Sequence, residues 1–210
     1  MNQSNSKWTI FPILFGFFVM GFVDVVGIST NYVKHDFGLS DTLANLIPMM
    51  VFLWFAIFSI PTGMLMGRIG RRNTVAVSLG ITIVAMLLPL FLYDFASVLL
   101  AFALLGIGNT ILQVSLNPMV ANVVSPGKVT SVLTLGQFLK AVSSFLGPLI
   151  AGAAASFWGD WKWIFAVYAV TTLLSLTWLL AGVHEEENKS AQASTFATVC
   201  SLFKDRYIVM

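Results

Sequence analysis

Six apolar runs, roughly 9 to 33, 44 to 66, 74 to 92, 95 to 124, 130 to 157 and 161 to 183, succeed one another with only short polar connections between them. A helix crosses the hydrocarbon core of a bilayer with about 20 mostly apolar residues at about 1.5 Å of rise each, and each run is near that length or beyond it. The fold class this predicts is an all-α membrane protein with six transmembrane helices. An even count leaves both ends on one side. The longest connection, KHDFGLSDTLA (34 to 44), leaves no room for an extramembrane catalytic domain.

Composition agrees. Of 210 residues, 58% are hydrophobic and 10% charged, whereas folded soluble proteins carry roughly 25% charged residues. The polar start MNQSNSK leads into an apolar stretch from Trp8 to about Val33. A secretory signal has an apolar core of roughly 7 to 15 residues, so this stretch is a retained span. Cys200 is the single cysteine, which excludes an internal disulfide, a thiolate metal site and a redox pair. His35 and His184 fall in polar connections and are expected to be solvated. With no nucleophile and base pair, metal cluster or phosphate loop, the chain is not expected to be an enzyme. It calls for no cofactor and no nucleic-acid partner.

Charge placement sets orientation, because cytoplasmic loops carry the excess of Lys and Arg. With the N-terminus inside, Lys7, Arg68, Arg71, Arg72, Lys128, Lys189, Lys204 and Arg206 are all cytoplasmic, and only Lys34 and Lys162 fall outside. Asp36, Asp41, Asp94 and Asp160 fall on the outer side. The densest cluster, GMLMGRIGRRNT (63 to 74), is at the least a topology anchor.

Gly63, Leu65, Arg68, Gly70, Arg71 and Arg72 also resemble the loop signature of the major facilitator superfamily, Gly-x-Leu-x-Asp-Arg-x-Gly-Arg-Arg, which stands between that family's second and third spans. Gly67 replaces the family's aspartate. The resemblance implies that these arginines pair with acidic groups at helix ends and help hold an inward-closed state. It also implies a twelve-helix fold of two six-helix halves, each built from two inverted three-helix repeats. Within the chain, Gly21-x-x-Asp24 of the first span matches Gly106-x-x-Asn109 of the fourth. Residues 1 to 183 are then the N-terminal six-helix domain, 184 to 200, with three consecutive glutamates, a cytoplasmic linker, and 201 to 210 the start of the second half. On this expectation the chain is a truncated form or a gene fragment that lacks its C-terminal half.

Charged groups at membrane depth cost roughly 2.5 to 3.5 kcal/mol on insertion scales and face a bundle interior or wet cavity. Asp24 and Lys140 are the two such groups. Their heights along the spans differ by about 6 Å at helical rise, within a lysine's reach. They are either an ion pair tying the first span to the fifth or a proton or substrate site that opens and closes. Alternatively, Lys140 is unpaired and neutralises an anionic solute. Asn109, Gln113 and Asn117 recur at i, i+4 and i+8 and line one face of the fourth span, as glue between helices or as a row of donors and acceptors for sugar hydroxyls. Pro118 should loosen the helix just below it.

The run Gln113-Val114-Ser115-Leu116-Asn117-Pro118, with Leu135-Gly136-Gln137-Phe138-Leu139-Lys140 in the fifth span, resembles the L-fucose/proton symporter family. That family carries Glu-Thr-Ala-Ala-Asn-Pro and Ala-Gln-x-x-Asn-x-x-Gly at these places. Asn117, Pro118 and Gln137 are retained; Gln113 replaces the proton-relay glutamate and Lys140 the asparagine, and Asp24 falls about one turn before that family's first-span aspartate. Ser143 and Gly147-Pro148-x-x-Ala151-Gly152 resemble the Gly-Pro motif of antiporters and drug exporters, although small residues also serve plain helix packing. Trp158, Trp161 and Trp163 are expected in an interfacial belt, and Trp54 against lipid or a neighbouring helix.

The reading is half of a secondary transporter in the cytoplasmic membrane. Its partners are the lipid bilayer, a small polar solute, foremost a sugar or sugar acid, and the missing second half. Asn109, Gln113, Asn117, Gln137 and Lys140 would bind the solute and Asp24 would couple protons. An organic-anion carrier, a drug-type exporter and a non-transporting fragment are the alternatives.

Overall fold

The computed structural model describes residues 3–183, with side chains from Thr9 onward. The expected linker and the start of the second half, with His184, Lys189, Cys200, Lys204 and Arg206, lie outside the described residues, as does the side chain of Lys7. The described chain is helical throughout its six spans. The first span comprises α1 (Gln3–Met20), a tight turn of 3-10 helix (Gly21–Asp24) and α2 (Val25–Asp36). The second comprises α3 (Asp41–Ala44) and α4 (Leu46–Ile69). The other four follow as α5 (Arg71–Phe91), α6 (Phe95–Val123), α7 (Val129–Trp158) and α8 (Trp163–Gly182).

Local chemistry sets the boundaries. The Ser40 hydroxyl accepts from the Leu43 amide at the start of α3. Asp94 caps α6 by accepting from the Ser97 amide at 3.1 Å and from its hydroxyl, and these two bonds hold the Asp94 carboxyl below the usual carboxylate range. Gly159, at φ +72°, closes α7 in the left-handed conformation that glycine adopts without penalty. α6 is helical on both sides of Pro118, where the sequence suggests a loosened helix. The irregular point is instead the turn at Gly21–Asp24 in the first span.

The first and fourth spans form the interior: 61% of the apolar stretch of each is buried, against 17% in the second and 22% in the fifth. α6 packs on α1, α4 and α5, α1 packs on α7 and α8, and α5 packs on α8. The second and fifth spans thus present Phe52, Ile57, Phe138 and Phe145 outward.

Two close approaches relate the halves of this bundle. A Cβ on Gly21 would lie 2.5 Å from the Lys140 carbonyl oxygen of the fifth span, and one on Gly106 would lie 2.5 Å from the Val51 carbonyl oxygen of the second. An inverted three-helix repeat exchanges the first span with the fourth and the second with the fifth, so it maps one contact onto the other. The short match between Gly21-x-x-Asp24 and Gly106-x-x-Asn109 therefore has a geometric basis. In each copy a glycine admits a neighbouring backbone, and a polar residue follows three positions later.

The two ends of the bundle differ in charge. At one end lie the Gly70 turn with Arg68, Arg71 and Arg72, the turn before α7 with Lys128, and the end of α8. At the other, one carboxylate joins three connections: Asp36 Oδ2 accepts from the Tyr93 hydroxyl at 2.6 Å and from Trp161 Nε1 at 3.1 Å. Tyr32 stacks on Trp161 with ring centres 4.8 Å apart, and the Lys162 ammonium sits 4.1 Å above the Tyr93 ring. Burial and the nearby Asp36 charge push the Tyr93 phenol up from its ordinary pKa. Trp161 is only 5% exposed, so it is a core residue and not a belt residue, while Trp158 and Trp163 are exposed as expected. Asp36→Ala leaves the buried Trp161 N–H without its acceptor and is expected to lower stability by about 1–3 kcal/mol. Asp36→Asn, which keeps one acceptor, should lose less. Thermal unfolding in detergent, followed by tryptophan fluorescence, checks the order.

Candidate functional site

Asp24 ends the 3-10 turn, where the tightened backbone breaks the α-helical register of the first span. Its side chain is exposed on the bundle surface. The Ser144 hydroxyl of α7 donates to Asp24 Oδ2, and the Lys140 carbonyl lies 3.0 Å from the same hydroxyl oxygen. Gln137, Lys140 and Ser144 stand at i, i+3 and i+7, one above another on a single face of α7.

Among the described residues, Lys140 and Asp24 form no ion pair; the pairs present include Lys34 with Asp41 and Lys162 with Asp160, near the connections. The Asp24 to Lys140 bridge, one of the alternatives the sequence left open, is therefore absent, for a physical reason. Gly21 draws the first span onto the backbone of Lys140, and the group that meets the carboxylate is the hydroxyl one helical turn further on. Ser144 was not singled out from the sequence. The available signal was its position four residues after Lys140 and seven after Gln137.

The amides of α6 divide by burial. Asn109 is 5% exposed and belongs to the bundle interior, next to Gly108, which packs on Ser78 and Thr82 of α5. Gln113 and Asn117 are half-buried. The Oδ1 atoms of Asn109 and Asn117 are buried without a hydrogen-bond partner among the described residues, which is unusual for a native polar group. Gln137 is exposed on α7.

The arginine loop turns at Gly70, whose φ of +82° and ψ of 164° lie in a region that is essentially glycine's alone. Asn73 Nδ2 donates to the Ile69 carbonyl and Thr74 Oγ1 to the Gly70 carbonyl, fastening both sides of the turn. Arg72 Nη2 donates to the Leu180 carbonyl at 2.7 Å, in the last turn of α8. A helix C-terminus carries partial negative charge and unsatisfied carbonyls, so this guanidinium joins the third span to the sixth. Arg68 and Gly67 are exposed, and a Cβ on Gly63 would meet nothing within 4 Å.

The Gly-Pro segment of α7 serves as a packing surface. Ser143 lies against Gly21, and a Cβ on Gly147 would come within 3.1 Å of the Tyr168 hydroxyl of α8. Trp54 packs on Phe58 within its own helix.

The sequence profile described as Major Facilitator Superfamily matches residues 11–210. Glucose/galactose transporter of Brucella abortus biovar 1 (strain 9-941) is 30% identical over 152 residues, 70% of this chain and 37% of that protein. Protein spinster of Drosophila melanogaster is 24% identical over 200 residues, 91% of this chain and 33% of that protein. The chain thus matches about a third of the length of these curated relatives. Among solved structures, the proton:xylose symporter XylE bound to 6-bromo-6-deoxy-D-glucose superimposes with a TM-score of 0.73 at 18% identity, over 92% of this chain and 49% of that one. A peptide transporter POT in complex with sulfate gives a TM-score of 0.71 at 19% identity, over 96% of this chain and 44% of that one. The six long apolar helices make this a multi-pass integral membrane protein, and the chain belongs to the Major Facilitator Superfamily.

Proposed function

We propose that the chain is the N-terminal half of a secondary active transporter that moves a small polar solute, foremost a sugar, by alternating access, with proton symport through Asp24. The observation that carries the reading is the exposed Asp24 carboxylate at a helical break in an otherwise apolar span, beside the α7 face that bears Gln137 and Lys140. Similarity to a glucose/galactose transporter supports a sugar. The solute would lie between this domain, residues 1 to 183, and a second six-helix half reached through the linker 184 to 200. Gln113, Asn117, Gln137 and Lys140 would contact it, with Asn109 supporting them from the interior. The concentration of Arg68, Arg71, Arg72 and Lys128 at one end supports a cytoplasmic N-terminus in the cytoplasmic membrane.

A second reading has its own support: Lys140 makes no ion pair among the described residues, and an intramembrane cation without a counter-charge suits an anionic solute. Uptake of radiolabelled neutral sugars and sugar acids by full-length protein in proteoliposomes, with and without a pH gradient, separates the two. Gradient-driven uptake of a neutral sugar is expected. Movement of acidic solutes alone, stopped by Lys140→Asn, would replace the sugar with an organic anion.

A further inference from the structure

We propose that Ser144 is a positioning residue of the coupling site, holding Asp24 against the fifth span in both protonation states of the carboxyl; this rests on the reading of Asp24 as the proton site. One hydroxyl oxygen lies within reach of two acceptors, Asp24 Oδ2 on the first span and the Lys140 carbonyl on its own helix. A serine hydroxyl has one proton to give and lone pairs to receive. With Asp24 ionised, the hydroxyl donates to the carboxylate, since a bond to a charged acceptor is about twice as strong as a neutral one. When Asp24 takes a proton from water, the acid O–H donates to Ser144 Oγ, and the serine proton turns to the Lys140 carbonyl. Each state keeps one hydrogen bond between the two side chains, and the exchange needs only rotation about the hydroxyl bond.

The surroundings permit such a relay. The Lys140 carbonyl lies against Gly21, which brings the two acceptors to one hydroxyl. The ionisable groups near Asp24 are Lys140, one turn from Ser144, and Tyr168 of α8, whose ring stacks on Phe22 of the same turn. The α6 helix, which also packs on the turn, carries none.

The test is proton-driven accumulation of the transported solute in proteoliposomes of full-length protein, with gradient-free solute exchange measured alongside. Ser144→Ala should slow proton-driven accumulation by about tenfold, the scale of a lost bond to a charged group, and by more than it slows gradient-free exchange. Ser144→Thr, which restores a hydroxyl, should recover accumulation. If Ser144→Ala accumulates normally while Asp24→Asn does not, the role of Ser144 is overturned and the coupling site stands. If Asp24→Asn also accumulates normally, the proton-site reading has failed and takes the Ser144 proposal with it.

Discussion

Asp24→Asn should abolish uphill transport while leaving downhill exchange of solute in place. A gradient of about one pH unit is worth about 1.4 kcal/mol per proton, which supports about tenfold accumulation in one-to-one symport. The variant's ratio should fall to about one under the same gradient. Asparagine matches aspartate in shape and still offers an oxygen to the Ser144 hydroxyl, so the contact between the first and fifth spans survives. What disappears is the titratable group. Among the described spans the other mid-membrane charge is Lys140, so within this half no second carboxylate can stand in. Measurement of proton flux with solute flux in proteoliposomes checks this; an unchanged accumulation ratio in Asp24→Asn would place coupling elsewhere.

The second large effect concerns folding. Gly106→Ala forces a methyl group to within 2.5 Å of the Val51 carbonyl oxygen, a backbone atom that cannot swing aside. Overpacking of this kind costs about 1–3 kcal/mol, and larger side chains should prevent assembly of the second span on the fourth. Gly21→Ala should behave alike, because its methyl meets the Lys140 carbonyl at the same 2.5 Å. Gly80→Ala provides the contrast: its Cβ would meet nothing within 4 Å, so the change should be neutral or favourable by up to about 1 kcal/mol through helix propensity. Melting temperatures in detergent should rank Gly80→Ala at or above the unmodified protein, with Gly21→Ala and Gly106→Ala well below. Equal melting temperatures for Gly80→Ala and Gly106→Ala would contradict the tight pairing of the second and fourth spans.

Much of this fold was legible in the sequence because lipid imposes so blunt a rule. Long apolar runs must be helices, and Gly70 with its neighbouring arginines identifies the turn between the second and third spans. Facing was harder to read. A span that is apolar all round gives no hydrophobic stripe to tell core from lipid, so nothing in Trp161 announced that it is buried under Tyr32 while Trp158 is exposed. Equal spacing placed Asn109, Gln113 and Asn117 on one stripe, yet the drift of that stripe around α6 takes Asn109 into the core. Asp24 and Lys140 stand out in the sequence as the charged groups at membrane depth. Their pairing was inferred from height alone, and height ignores that Gly21 brings backbone, not ammonium, to the first span. Asp36 escaped notice as a joint because its partners Tyr93 and Trp161 are far away in sequence and meet it only in the folded bundle.

The most direct measurement of the central claim is alkylation of Gln137→Cys, prepared in full-length protein freed of its other cysteines and reconstituted in vesicles. Gln137 is exposed on the α7 face that carries Lys140 and Ser144. A transported sugar should slow maleimide labelling at this position at concentrations that saturate uptake, and should leave labelling of Phe157→Cys, exposed near the end of α7, unchanged. Uptake that proceeds while no transported solute protects position 137 would contradict the placement of the solute on this face.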